Sequence, residues 1–373
     1  MIDTVCLVLP KSHIILLDEH GNEISGWNLQ SVTDNYKKYV RNPSANEKRS
    51  GLYFPRVTAY DRRYQREQQI KIEFSAPKLI YQNNLEELTD TQFSDVIDAL
   101  QDRLKRMGIR VFRNLLEGAS VTSVHFGRNF IFRDGQTATN IISQLQKIDI
   151  RKTFDFARSK YTNDGESLCC HTSVHELIFY DKIADLNKGK KRSIDRDQTS
   201  YQLGLFDDVR IRGDPFEVLR MEVRLSQKQK MNAVLRKVGL NANPTFRQVF
   251  NNSVSKEVVM LYWEETVKSK NQGALMIGSQ PIDLLKRLRL VYPEAKPKQL
   301  LTYAGLILLA QSGNGLRELR SVLAQSGHDR TWGRIIKEYR EISDSLAEGK
   351  IRSWVKDIEY QIHHYSPLRI TKL

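Results

Sequence analysis

Apolar and polar positions change rhythm along this chain, and the rhythm predicts the order of its elements. Residues 5–9 and 14–17 are short apolar runs on either side of Pro10 to His13, a pattern that predicts an opening hairpin. Ile70-Lys71-Ile72-Glu73-Phe74 alternates residue by residue, the period of a half-buried strand. Thr89 and Gln92 then have capping-box spacing. After them Phe93, Val96, Ile97, Leu100, Leu104 and Met107 share one helical face, which Gly108 ends. Strands are predicted at 109–112 and 121–132, followed by a helix carrying Ile141, Ile142, Leu145 and Ile148. Residues 168–179 and 218–225 read as two central strands, separated by a polar stretch rich in Lys and Arg at 187–202.

After about Thr245 the periodicity is helical throughout. Pro281 suits the first turn of a helix, and further helices are predicted at 300–310, 315–323 and 331–342, punctuated by Gly305, Gly313, Gly315, Gly327 and Gly333. Short helices joined by such turns suit a helix-turn-helix unit. The expected class is therefore α+β. A central, mainly antiparallel sheet with helices packed on it would occupy residues 1–245, and an all-α domain 246–373.

Composition adds a partner. The 373 residues are 40% hydrophobic and 27% charged, enough apolar material for proper cores and against general disorder. Lys and Arg number 58 against 44 acidic residues, a formal charge of +14 with a pI near 9.5, which favours a polyanion and nucleic acid first. Residues 41–69 mix Arg and Lys with Tyr53, Phe54, Tyr60 and Tyr64. That mixture suits single-stranded nucleic acid, and equally an exposed meander with ordinary surface aromatics. Cys6, Cys169 and Cys170 lack the spacing of a disulfide framework or a zinc site, so a reducing, cytoplasmic setting is expected. No apolar run approaches the roughly 20 residues that span a bilayer, and no membrane role is expected.

Three stretches carry candidate chemistry. Glu176-Leu177-Ile178-Phe179-Tyr180-Asp181-Lys182 is an apolar run closing on a tyrosine. If the strand continues, Glu176, Tyr180 and Lys182 share a face, and the ammonium would favour a phenolate able to attack phosphorus. The commoner reading of such a residue is a strand-end tyrosine with its ring in the core. Arg220-Met221-Glu222-Val223-Arg224 puts a carboxylate between two arginines on one face, which is a salt bridge or a site. Glu222 suits Mg2+ or Mn2+, and the arginines suit phosphates. His125 lies in a predicted strand, where a lone histidine is more often structural than a ligand. His171 and His175 are weaker candidates, and no His-hydrophobe-His triplet or Walker A sequence is present.

Several segments, in order, resemble the replication initiators of filamentous phages, the gene II and gene X type endonucleases. Met1-Ile2-Asp3 with Leu7-Val8-Leu9-Pro10 is similar to that family's start, and Glu73-Phe74-Ser75-Ala76-Pro77-Lys78 with Asn83-Asn84 to its strand and asparagine turn. Tyr180-Asp181-Lys182 resembles the nucleophile segment, and Arg220-Met221-Glu222-Val223-Arg224 a later strand whose glutamate is a metal ligand. The departure is His125, which stands near where the family commonly has an aspartate.

The resemblance implies a rolling-circle nuclease-like fold and a nickase. Tyr180 would attack the scissile phosphodiester, with Lys182 assisting and Mg2+ or Mn2+ held by Glu222 with His125 or Glu73. A 5′-phosphotyrosyl bond and a free 3′-hydroxyl would result, and Tyr161 and Tyr201 are available as second nucleophiles. Arg220, Arg224, Arg128 and Lys78, with Arg330, Arg334 and Lys337 in the helical part, are the DNA-binding candidates. The partners implied are a double-stranded origin, a single-stranded nick site, a host helicase and polymerase, and a second copy of the chain. The competing readings are a plasmid or conjugative relaxase, a hydrolytic metal-dependent nuclease, and a non-catalytic DNA-binding regulator.

Overall fold

A computed structural model describes residues 1–18, 20–63, 66–132, 136–148, 154–162, 165–187, 217–268, 281–324, 329–346 and 353–369. Its strands are β1 (Ile2–Pro10), β2 (Ile14–Leu17), β3 (Glu23–Ile24), β4 (Gln30–Thr33), β5 (Tyr36–Arg41), β6 (Arg56–Arg62) and β7 (Gln69–Ser75). There follow β8 (Ile109–Val111), β9 (Ser120–Phe132), β10 (Asp155–Thr162), β11 (Ser167–His171), β12 (His175–Asp181) and β13 (Glu217–Leu225). Ten of them form one sheet in the order β10-β11-β12-β13-β9-β1-β7-β6-β5-β4, with every pairing antiparallel. The fold is α+β, built on a large antiparallel sheet.

Alternation along the strands explains which face is covered. Val5, Leu7, Leu9, Val57, Ala59, Ile70, Ile72 and Phe74 all point to one side and are buried. So do Leu219, Met221, Val223 and Leu225 of β13. The helices Lys228–Lys237 and Asn252–Tyr262 pack on β9 and β13, with Met231, Val234, Leu235, Val258 and Val259 in the shared core. Each such aliphatic side chain contributes about 1.5–3 kcal/mol by leaving water. The other face is polar over much of its width, and the candidate chemistry lies there.

Three sequence expectations change. First, β1 and β2 do not form a hairpin. The turn Lys11–His13 sends β2 into a separate sheet of order β3-β2-β8, while β1 pairs with β7 and β9 in the large one. Second, residues 168–179 are two strands, not one. The Thr172 hydroxyl accepts the backbone N–H groups of Val174 and His175 at 3.2 and 3.0 Å and turns the chain between β11 and β12. Third, the core does not divide at residue 245. Phe246, Val249, Trp263 and Val267, and Trp354, Ile358 and Ile362 of the helix Ser353–His364, all join the core under the sheet. A second core lies among the helices Pro281–Val291, Pro297–Gln311, Gly315–Ala324 and Asp329–Leu346, around Leu288, Tyr303, Ile307, Trp332, Ile336 and Tyr339. The change of periodicity at 245 marks where strands stop, because the helices that follow are needed to cover the sheet's apolar face. The 187–202 insertion lies almost wholly outside the described residues.

No helix among the described residues is long and apolar enough to cross a membrane.

Candidate active site

The site is assembled by three neighbouring strands. In register, Tyr180 of β12 stands opposite Arg220 of β13 and, beyond it, Asn129 of β9. The next same-face row is Ile178, Glu222 and Gly127, and the third is Glu176, Arg224 and His125. Side chains two residues apart share a face, so nine positions form a three-by-three patch.

β1 stops pairing with β9 near Phe126, and residues 83–88 continue the edge. The Asn83 side chain accepts the N–H groups of Leu85 and Glu86 at 2.9 and 3.0 Å, which shapes the turn. Glu87 then accepts the Asn129 N–H at 2.8 Å, and the Leu85 carbonyl accepts from the Asn129 amide at 2.7 Å. On the site side, Leu85, Leu186, Val218 and Leu368 make a small apolar cluster that seals this end of the polar face.

Arg220 is fully buried beneath that seal. It pairs with Asp3 at 2.8 Å and donates to the Asn84 carbonyl at 3.1 Å and the Asn129 side chain at 3.0 Å. Gly127 makes room for it, since a Cβ there would come within 2.5 Å of the guanidinium. Arg220 is therefore a structural cation at the site floor and not the DNA contact expected from sequence.

Glu222 is the hub. Arg224 approaches one carboxylate oxygen at 2.9 Å and the other at 3.4 Å, His125 Nδ1 lies 3.4 Å away, and Arg220 Nε 3.9 Å. Burial opposes its ionisation, but Arg224, His125 and Arg220 outweigh burial and hold the carboxyl well below its ordinary range. The Tyr180 hydroxyl donates to the same carboxylate at 3.4 Å. Burial pushes the phenol well above 10, and the pull of Arg220 in the other direction does not compensate. Arg224 is more accessible, with its side chain 35% exposed, and also reaches Glu176 at 3.5 Å. His171 Nδ1 meets Glu176 from β11 at 2.6 Å.

Lys182 is not where the sequence placed it. The strand ends at Asp181, whose carboxylate caps a helix by accepting the Ala184 N–H at 2.9 Å, and Lys182 begins that helix. Its ammonium is buried, bonded to Asn84 at 2.8 Å and 3.4 Å from Asp185, and it lies 5.5 Å from the Tyr180 ring centre. Burial lowers its pKa to about 8. The phenolate expected from Lys182 is thus not the resting form of Tyr180.

The other expectations sort by location. Glu73 faces the same side but sits on β7, three strand spacings or about 14 Å from β13, and meets Lys71 at 3.4 Å and Cys6 at 3.9 Å. It does not share a site with Glu222. Arg128 points to the helix-covered face and pairs with buried Glu87, and Lys78 is buried 5.7 Å from the Tyr53 ring centre, so neither is a DNA contact. Arg334 and Lys337 are exposed on one helix, Lys337 within 3.8 Å of Glu341. The side chains of Arg330 and Tyr161, and Tyr201 and Gly327 altogether, lie outside the described residues. His175 is buried between Phe154 and Tyr262 and bonded to Thr172, with a pKa lowered to about 4 by burial, so it is packing.

Glu222, His125 and Glu176 are the carboxylate and imidazole donors on this patch, and Arg224 stands between Glu222 and Glu176. Among the described residues no three His, Cys, Asp or Glu side chains converge as an ion requires, and Arg224 already occupies the carboxylate. As arranged, the residues do not make the expected metal site. Sequence reasoning missed Asp3, Asn84, Asn129 and Gly127. Only the strand glycine carried a signal, because a glycine inside a strand often marks a close approach. No family model, curated protein or solved structure matches this chain.

Proposed function

We propose that the protein is a DNA strand transferase of the rolling-circle initiator kind, which nicks one strand through a covalent bond to Tyr180 and later rejoins it. The observation that supports this reading is the shared carboxylate: the hydroxyl of a half-buried tyrosine on the polar face of the sheet donates to Glu222, which two arginines hold ionised. A nucleophile, an acceptor for its proton and one accessible cation for a phosphate, Arg224, lie within one patch.

In the resting state the proton transfer is uphill, since the phenol is raised and Glu222 is lowered. A scissile phosphate changes both sides of that balance. Arg224, the accessible partner, transfers its hydrogen bonds from Glu222 to the phosphate, and Glu222 becomes a stronger base. Tyr180 oxygen then bonds to phosphorus as its proton passes to Glu222, and the P–O3′ bond breaks. The 3′ oxygen leaves and takes up a proton from water, and Glu222 later returns the tyrosine's proton to solvent. The product is a 5′-phosphotyrosyl strand and a 3′-hydroxyl, and attack by that hydroxyl reverses the sequence without ATP.

The non-catalytic DNA-binding reading also has an observation in its favour, because a neutral phenol beside a neutralised carboxylate is a stable structural arrangement. The test is incubation with supercoiled origin DNA, with Mg2+, with Mn2+ and with chelator, followed by denaturing gels for protein-linked DNA. Wild type is expected to give an adduct and nicked circles. Tyr180→Phe is expected to lose both by at least about a thousand-fold. An undiminished adduct in Tyr180→Phe would remove the proposal, and nicking without an adduct would point to hydrolysis.

A further inference from the structure

The polar face continues beyond the tyrosine, across β1 to β5. Its rows can be followed through the register: Arg56, Glu73, Cys6 and Ser123 stand in one line, Thr58, Lys71, Val8 and Ser120 in the next, and Lys38, Tyr60 and Gln69 in a third. Ser123 is two residues before His125 on β9, so this face is the one that carries Glu222 and Tyr180. The opposite sides of these strands, from Val57 and Ala59 to Leu7, are fully buried, which leaves the polar side as the open one.

At the far end, the chain has built something more specific than a basic surface. The rings of Tyr36 and Tyr60 lie 6.3 Å apart, and the Arg62 guanidinium sits over both, at 5.6 and 5.5 Å from their centres. Both tyrosines are half-buried, and Lys38, Arg56 and Arg62 are exposed. Lys71 is engaged by Glu73, whereas Lys38, Arg56 and Arg62 make no carboxylate ion pair among the described residues. Tyrosine rings with a guanidinium over them, beside cations that have no carboxylate partner among the described residues, are components that hold unpaired bases and their phosphates. A duplex, with its bases stacked inside, has no use for the rings.

We propose that Tyr36, Tyr60 and Arg62, flanked by Lys38 and Arg56, form a single-stranded DNA subsite at the outer end of the sheet. Bases stack on the rings, and the cations take the backbone phosphates. The direction of the strand toward Tyr180 rests on the function proposed above, but the subsite itself does not. From β5 to β12 is six strand spacings, about 29 Å, a span suited to the 4–16 nucleotides that open single-strand sites commonly cover.

The experiment is fluorescence anisotropy with a labelled oligothymidylate of about 16 nucleotides and a duplex of equal length. It compares the full-length wild type, Tyr36→Ala/Tyr60→Ala and Tyr36→Phe/Tyr60→Phe. The double alanine variant is expected to bind the single strand at least about ten-fold more weakly and the duplex unchanged. The double phenylalanine variant keeps the rings and is expected to bind like wild type. Circular dichroism of both double variants reports whether the sheet is intact. Wild-type single-strand affinity in the folded double alanine variant overturns the subsite, and so does an equal loss for single strand and duplex. Should the alanine variant misfold, the proposal stands or falls on Arg62→Gln by the same two readings. A platform that fails while Tyr180→Phe abolishes the adduct sinks this inference alone, and the reverse pattern sinks the nicking proposal alone.

Discussion

Tyr180 and Tyr60 occupy the same face of one sheet, and their surroundings handle charge in opposite ways. Around Tyr180 the cations are matched and mostly enclosed: Arg220 is fully buried against Asp3, Lys182 is buried against Asn84 and Asp185, and the more accessible Arg224 is held by Glu222 and Glu176. Around Tyr60 the cations Lys38 and Arg62 stand in water, and Arg62 lies against rings instead of carboxylates. Charge spent on a buried partner organises a site, whereas charge left in solvent is free to meet a ligand. A formal charge of +14 does not distinguish the two uses.

The strongest way to break the comparison is to remove one cation from each end. Arg220→Met leaves Asp3 buried without its partner and is expected to cost about 3–5 kcal/mol in urea unfolding. Arg62→Met, at an exposed position, is expected to stay within about 0.5 kcal/mol of wild type. Adding Asp3→Asn to Arg220→Met removes the stranded charge and should restore part of the loss. Equal stability of the two single variants would mean that the ends do not differ as described.

A somewhat smaller effect comes from pH. The ammonium of Lys182 is held near pKa 8 in the folded protein, against an ordinary 10.5. Between those values the unfolded chain binds a proton that the folded one has shed, so this group makes the protein more stable as pH rises from 8 to 10.5. Lys182→Met removes that contribution. The stability of wild type relative to the variant is expected to rise by up to about 3 kcal/mol across that window, measured by denaturant melts at each pH. A constant difference would place the ammonium in contact with water.

The two ends also differ in how far sequence reveals them. The alternation of Ile70 to Phe74 and the helical face from Phe93 to Met107 are visible because burial of one side imposes a period, and both elements are present, with the 89–92 segment forming a short turn before the helix. The mixture of Tyr60 and Arg62 was visible as composition. Its arrangement was not, because Tyr36 comes from a neighbouring strand more than twenty residues away. At the tyrosine end, Glu222 and His125 read from sequence as polar positions within strands, and the register brings them together. Asp3, on β1, and Asn84, in the turn after the helix Ala76–Tyr81, belong to segments that the sequence singles out, but nothing local shows that they meet Arg220. Arg128 and Arg220 read as free cations for the same reason, since a buried partner such as Glu87 or Asp3 leaves no trace next to its arginine in sequence.

The smallest effect asks only about solvent-exposed charge. Each phosphate that a cation neutralises releases counterions, so affinity for a single strand falls with salt by about 0.7 in log–log slope per contact. Lys38→Gln and Arg62→Gln are therefore each expected to lower the slope for oligothymidylate by roughly 0.7 while leaving the melting temperature unchanged. Arg128→Gln is the control. Its guanidinium is buried on the helix-covered face against Glu87, so it should lower the melting temperature and leave the slope of the folded protein as it was. A slope that responds to Arg128 but not to Lys38 would place the strand on the other side of the sheet.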